Sequence, residues 1–296
     1  VETESKVKEQ AGFNFDDYQP AEMERRVENA CVSKSKLSFL SLLLLSILAG
    51  AYISLGAGFF TMVVFDSSLS VGLTRTVGGI AFSLGLILVV IAGGELFTGN
   101  NMLMMGAASG VITYKQMLKN WGISYLGNFI GSLLMVFLMF LTGIWKMKDC
   151  MLGAKMVLIA ADKVNLTFLE AFSRGIMCNL LVCLAVWLCY SARNVVSKIA
   201  AIIFPITAFV ALGFEHSIAN MYFIPIGILL KQNASVVNMA SNMSQGTSLD
   251  RLNTIGFLGN LLPVTAGNII GGAIMVALTY WLIFVLPSRR KEMSGK

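Results

Sequence analysis

The sequence predicts an all-α membrane protein with six spans, and three observations lead there. Of 296 residues, 56% are hydrophobic and 13% charged, where soluble domains carry about a quarter charged residues. Mean hydropathy is +0.75. Apolar runs reaching the ~20 residues needed to cross a bilayer as a helix recur along the chain. None alternates apolar with polar residues as barrel strands do.

Residues 1–36 are read as a cytoplasmic N-terminal segment. Its start, VETESKVKEQAGFNFDDYQP, is polar and lacks the apolar stretch of a signal peptide. After Pro20, Ala21–Lys36 has the pattern of an amphipathic helix, lying on the membrane surface or serving as a solvated entry helix. Residues 37–286 hold the spans: Leu37–Val64, Leu73–Gly110, Met117–Trp145, Leu166–Ala192, Val195–Leu230 and Thr254–Leu286. Residues 287–296 form a cytoplasmic tail. The second and fifth runs are too long for plain helices, and each is interrupted by glycine and polar residues, GGELFTGNN and GFEHSIAN. Irregular backbone at membrane depth is tolerated only where it is buried in protein or lines a wet cavity. Both are therefore predicted to be broken helices, with Gly94, Gly213 and Glu215 at the breaks. Six spans put both ends on one side. The basic residues Lys115, Lys119, Arg193, Lys198 and Arg289–Lys291 make that side cytoplasmic.

The halves repeat. Gly94, Thr98, Asn101 and Met102 match Gly213, Ser217, Asn220 and Met221 at an offset of 119, and Asn120…Gly127-Asn128…Gly131 matches Asn260…Gly267-Asn268…Gly271 at 140. Three spans per half make the repeat inverted, and paired interrupted helices in such repeats mark the permeation site.

His216 is the only histidine, and it sits in GFEHSIANM, inside the fifth run. An ionisable residue in a span is a functional candidate, against the plainer role of a hydrogen bond to a neighbouring helix. Thr98 fits a helix cap as well as a substrate contact. Asn179, alone in an apolar stretch, fits packing between helices as well as pore lining. Glu215 fits a backbone cap at the break or a protomer interface. The glycines of YLGNFIG and AGNIIGG permit close helix approach. The five cysteines include no C-x-x-C pair, so neither a metal site nor a disulfide framework is expected, and no cofactor. The net charge of +6 reflects topology and does not point to nucleic acid. No nucleotide or hydrolase motif appears, and one histidine without paired carboxylates gives an intramembrane enzyme little to work with. An aquaporin-like pore for neutral solutes would need neither the histidine nor cations at its mouths.

The stretches GGELFTGNNM, KNWGISYLGNFIG, FSRGIMCNLLVCLAVW, GFEHSIANMYFIP and NLLPVTAGNIIGG, in this order, resemble the formate/nitrite transporter family from about Ala30 to Leu286. The resemblance implies an aquaporin-like protomer in a homopentamer, each protomer with its own pore, in the bilayer of a bacterial inner (plasma) membrane. It implies a small monovalent anion and protons as partners, through a channel or a proton-coupled carrier. Formate comes first; nitrite, hydrosulfide, acetate and lactate are the other candidates. Carried over by motif, the central threonine and histidine are Thr98 and His216, and the pore asparagine is Asn179. The vestibule cations are Lys34 and Lys163, and the apolar constrictions are Phe82, Leu86, Phe97 and Phe209. Such a pore lowers the Born penalty of a small anion through mouth cations, through hydroxyl, amide and helix N-terminal donors, and through protonation at His216.

Overall fold

The computed structural model describes residues 17–244 and 246–287, all helices and connections. Residues 1–16 of the N-terminal segment and 288–296 of the tail lie outside the described residues. The helices are α1 Pro20–Ser35, α2 Phe39–Val64, α3 Val71–Ile87 continuing through π-helical turns Leu88–Gly93, α4 Phe97–Asn100, α5 Leu103–Ala108 and α6 Tyr114–Leu141. They continue with α7 Met147–Val164, α8 Phe168–Ser191, α9 Val195–Ala211, α10 Ser217–Leu230, α11 Ala234–Met243 and α12 Thr254–Ile269, which runs on in π-helical turns.

Among the described residues, five helical stretches are long and apolar enough to cross a membrane, and the two halves α9 and α10 are shorter apolar helices. The outward faces fit lipid: Val71, Val196, Phe204, Ile255 and Leu262 are 70% to 82% exposed, a patchwork no water-facing surface of a monomer sustains. Helix starts are capped by polar side chains. Ser38, Asn194 and Asn253 each accept a first-turn N–H, and Thr113 and Thr167 form capping boxes with Gln116 and Glu170. Close packing rests on glycine as expected. A Cβ on Gly131 would overlap the Ile47 carbonyl of α2, and one on Gly271 would overlap the Ile176 carbonyl of α8.

Two expectations change. α1 does not lie free on a surface: Met23, Glu24, Val27 and Cys31 are buried against the bundle, and α1 packs on α5 and α8. The boundary drawn at residue 36 thus divides in sequence what the fold packs together. Residues 147–164, between the third and fourth predicted spans, form the helix α7, packed on α10 and α11. Its charges (Lys148, Asp149, Lys155, Asp162, Lys163) hide a buried stripe from Leu152 to Val164. The molecule therefore has two ends. One carries α1, and the end of α12 packs against it. The other carries α7 and α11. These are called the α1 side and the α7 side.

Candidate functional site

Each broken helix stops at a glycine with left-handed backbone. In the fifth run it is Gly213, φ +72, as expected; in the second it is Gly93, φ +92, not Gly94, whose backbone is extended. Positive φ is nearly free for glycine and costs about 1 kcal/mol or more in other residues. Gly94 instead sits where a Cβ would crowd Ala49.

Beyond each glycine the same hydrogen-bonded frame appears. On the α1 side, Lys34 Nζ donates to Glu95 Oε1 at 2.6 Å and to Asn100 Oδ1 at 3.0 Å. Asn100 Nδ2 donates to Glu95 Oε2 and to Asn120 Oδ1, both at 2.8 Å. On the α7 side, Lys163 Nζ donates to Glu215 Oε1 at 2.8 Å. Asn220 Nδ2 donates to Glu215 Oε2 at 2.6 Å and to Asn260 Oδ1 at 2.7 Å. A second asparagine pins each loop. Asn128 accepts from the Phe97 amide at 2.9 Å and donates to the carbonyls of Ser46 and Glu95. Asn268 accepts from the Ser217 amide at 2.9 Å and donates to the carbonyls of Gly175 and Glu215. These bonds correct the repeat register. Gly93, Glu95, Phe97 and Asn100 correspond to Gly213, Glu215, Ser217 and Asn220, an offset of 120 rather than 119. The 140 offset of Asn120 and Asn128 stands. The frame also corrects the donor expectation: the first N–H of each restarted helix is already bonded to Asn128 or Asn268.

Between the two frames lies a polar pair. His216 Nε2 is 3.0 Å from Thr98 Oγ1, with both residues buried. Nδ1 accepts the Ala219 amide at 3.1 Å, capping α10. That bond leaves Nδ1 without a proton, so in the neutral ring Nε2 carries it toward Thr98. The Phe209 ring lies nearly parallel to the imidazole, centroids 6.1 Å apart, and Phe82 meets Phe209 edge-on at 5.6 Å.

Two cavities approach this pair. One of about 370 Å³ on the α1 side is lined by Lys34, Leu86, Glu95, Leu96 and Asn100 among others. One of about 660 Å³ on the α7 side is lined by Phe82, Lys163, Phe209, Gly213, Glu215, His216 and Asn220 among others. Most expected site residues thus gather here. Glu215 neither caps backbone nor lies at a surface: it is buried and pairs with Lys163. Lys34 and Lys163 are not bare cations, since each neutralises a carboxylate. Asn179 lines neither cavity. It is buried and donates to Asn101 Oδ1 and to the carbonyls of Thr98 and Asn268, bracing the break. Phe97 lines neither cavity and packs on Trp121 and Tyr125. Glu95, Asn100 and Leu96 were not singled out by sequence. The shared Glu-x₄-Asn spacing of GELFTGN and FEHSIAN carried the signal.

Comparison with known proteins decides the family. The formate/nitrite transporter model matches residues 21–282. The chain belongs to this family. Within the formate/nitrite transporter family it is 42% identical over 273 residues to the formate channel FocA of Escherichia coli, covering 92% of this chain and 96% of that one. A solved pentameric formate channel with formate bound superposes with a TM-score of 0.76 at 42% identity, covering 83% of this chain and 98% of that one. Another solved structure, an ion channel of the same family, gives 0.74 at 29% identity, covering 88% and 98%. With its apolar helices, the chain is a multi-pass integral membrane protein.

Proposed function

We propose that the chain is a pore for small monovalent weak-acid anions, formate first, with the His216–Thr98 pair as its central polar station. One observation carries this reading. The only histidine of the chain lines the α7-side vestibule, its Nε2 bonded to the buried Thr98 and apolar rings beside it. The likeness to a formate channel at 42% identity supports formate as the anion. The likeness to a solved pentameric formate channel supports a homopentamer. The paired frames support two inverted three-span halves, and the basic loops support cytoplasmic termini in a bacterial inner membrane.

The anion sheds water between Phe82, Phe209 and Leu86, where the Born cost is highest. There Nε2–H of the neutral imidazole and the Thr98 hydroxyl replace lost hydration. If the Ala219 cap is released, Nδ1 takes a proton from a vestibule and Nε2 delivers its own to the anion. The ring returns neutral and the neutral acid crosses. On this second route, flux depends on pH through His216. Proteoliposome uptake of formate against nitrite, hydrosulfide, acetate and lactate, with and without a pH gradient, tests the reading. Water or glycerol flux without anion flux would replace it with a neutral-solute pore.

A further inference from the structure

The two cavities differ in how their cations are occupied. On the α7 side four cations are set against the carboxylates of Asp66, Asp162 and Glu215. On the α1 side Arg26, Lys34 and Lys198 face one carboxylate, Glu95. Both oxygens of Glu95 are engaged, by Lys34 and Asn100. Arg26 comes from α1, Lys198 from α9 and Tyr190 from α8. All three line the same cavity and are half-buried. Among the described residues, the Arg26 guanidinium, the Lys198 ammonium and the Tyr190 hydroxyl form no hydrogen bond or ion pair. Arg26 rests on the Tyr18 ring at 4.0 Å, a face contact that leaves its N–H edges unspent.

Cations held in a low-dielectric cleft focus field on whatever enters. This cavity carries two positive charges beyond its carboxylate and unspent donors on three walls. A divalent oxyanion matches that excess and supplies acceptors for a forked guanidinium, an ammonium and a phenol. It is also excluded from the passage beyond. The desolvation cost of an ion rises with the square of its charge, so a dianion faces about four times the barrier of formate past Leu86 and Leu96.

We propose that the α1-side cavity holds a docking site for a small divalent oxyanion, built from Arg26, Lys198 and the Tyr190 hydroxyl, and that the docked anion obstructs this mouth. The obstruction rests on the pore reading above; the binding does not. Sulfate is the probe because it stays divalent across the working pH range. Titration calorimetry of the purified full chain should give one sulfate per protomer, with chloride far weaker at equal ionic strength. Arg26→Gln, Lys198→Gln and Tyr190→Phe should each weaken sulfate about ten-fold, the loss of at least one charge-assisted hydrogen bond. Tyr190→Phe keeps the ring and so guards against a folding artefact. Equal affinity in all variants, or equal heats for sulfate and chloride, overturns the site. In oriented proteoliposomes, sulfate on the α1 side should slow formate flux, and less so in Lys198→Gln. Sulfate binding without slowing overturns the obstruction. Absent formate flux in the wild type would instead overturn the pore reading, with the calorimetry still deciding the site.

Discussion

The break after Gly93 and the break after Gly213 share a frame and differ at its centre. Lys34–Glu95–Asn100–Asn120 and Lys163–Glu215–Asn220–Asn260 repeat one hydrogen-bonded pattern. Yet the residue after the glutamate is Leu96 in one and His216 in the other. The counterpart of Thr98 in the corrected register is Ile218. The polar pair is therefore single: each half contributes one member, from positions that do not correspond. The two breaks share the scaffold and differ in the polar pair held within it.

Breaking the frame should have the largest effect. The α7-side pair is the more enclosed, with side-chain exposures of 14% and 5% against 27% and 8% for Lys34 and Glu95. Removing one partner of a buried pair costs about 3–5 kcal/mol, since the other charge is left stranded. Glu215→Ala should lower the thermal midpoint in detergent more than Glu95→Ala. Equal losses would mean that enclosure does not decide the strength of the frame.

The centre should respond next. His216→Asn keeps a side-chain amide but cannot titrate, so its flux should lose the wild-type pH profile, measured from acidic to neutral pH in liposomes. Identical profiles at equal folded yield would exclude proton transfer at His216 and leave it a neutral hydrogen-bond donor and the cap of α10.

The glycines sharpen the comparison at smaller scale. Gly93→Ala and Gly213→Ala should each destabilise by about 1–2 kcal/mol from left-handed backbone alone. A loss confined to Gly213→Ala would show that the first break tolerates another backbone.

The smallest effect is expected at the α7-side mouth. Loss of water pushes the Asp162 carboxyl above its usual range, against the pull of Lys155, Lys163 and Arg75. As pH falls through that raised value, Asp162 becomes neutral before ordinary carboxylates do. The cavity then gains positive charge, and anion entry from this side should rise. Asp162→Asn should remove that acidic-pH increment and leave the His216 component. An unaltered low-pH limb would assign the whole dependence to His216.

Much of this was legible in the residues. The spans followed from apolar length, and the breaks from glycine beside polar residues. The central pair was found because a lone histidine in an apolar run is conspicuous. The frame was missed because its members are spread over six helices and two connections and meet only in three dimensions. The identities of Gly94, Asn101 and Met102 with Gly213, Asn220 and Met221 also set the register one residue off. α7 escaped because its charges obey no single face until Leu152–Val164 is seen packed on α10. Asn179 and Phe97 had the right location by motif, but side-chain direction near a break cannot be read from spacing alone.

The pinning asparagines also set an order of assembly. Asn128 lies in α6, a short distance along the chain from the first loop it holds. Asn268 lies in α12, the last of the described helices, and it ties down the loop that carries His216. During synthesis the first loop finds its anchor while the ribosome is still making the second half. The second loop waits for nearly the whole chain. Until α12 docks, the Ser217 amide and the Glu215 carbonyl have no such partner, and the newborn protein holds its histidine on an untied strand. The proposed transport site is thus among the last features to set, and an interrupted chain that has made every residue of the His216–Thr98 pair still lacks what fixes it.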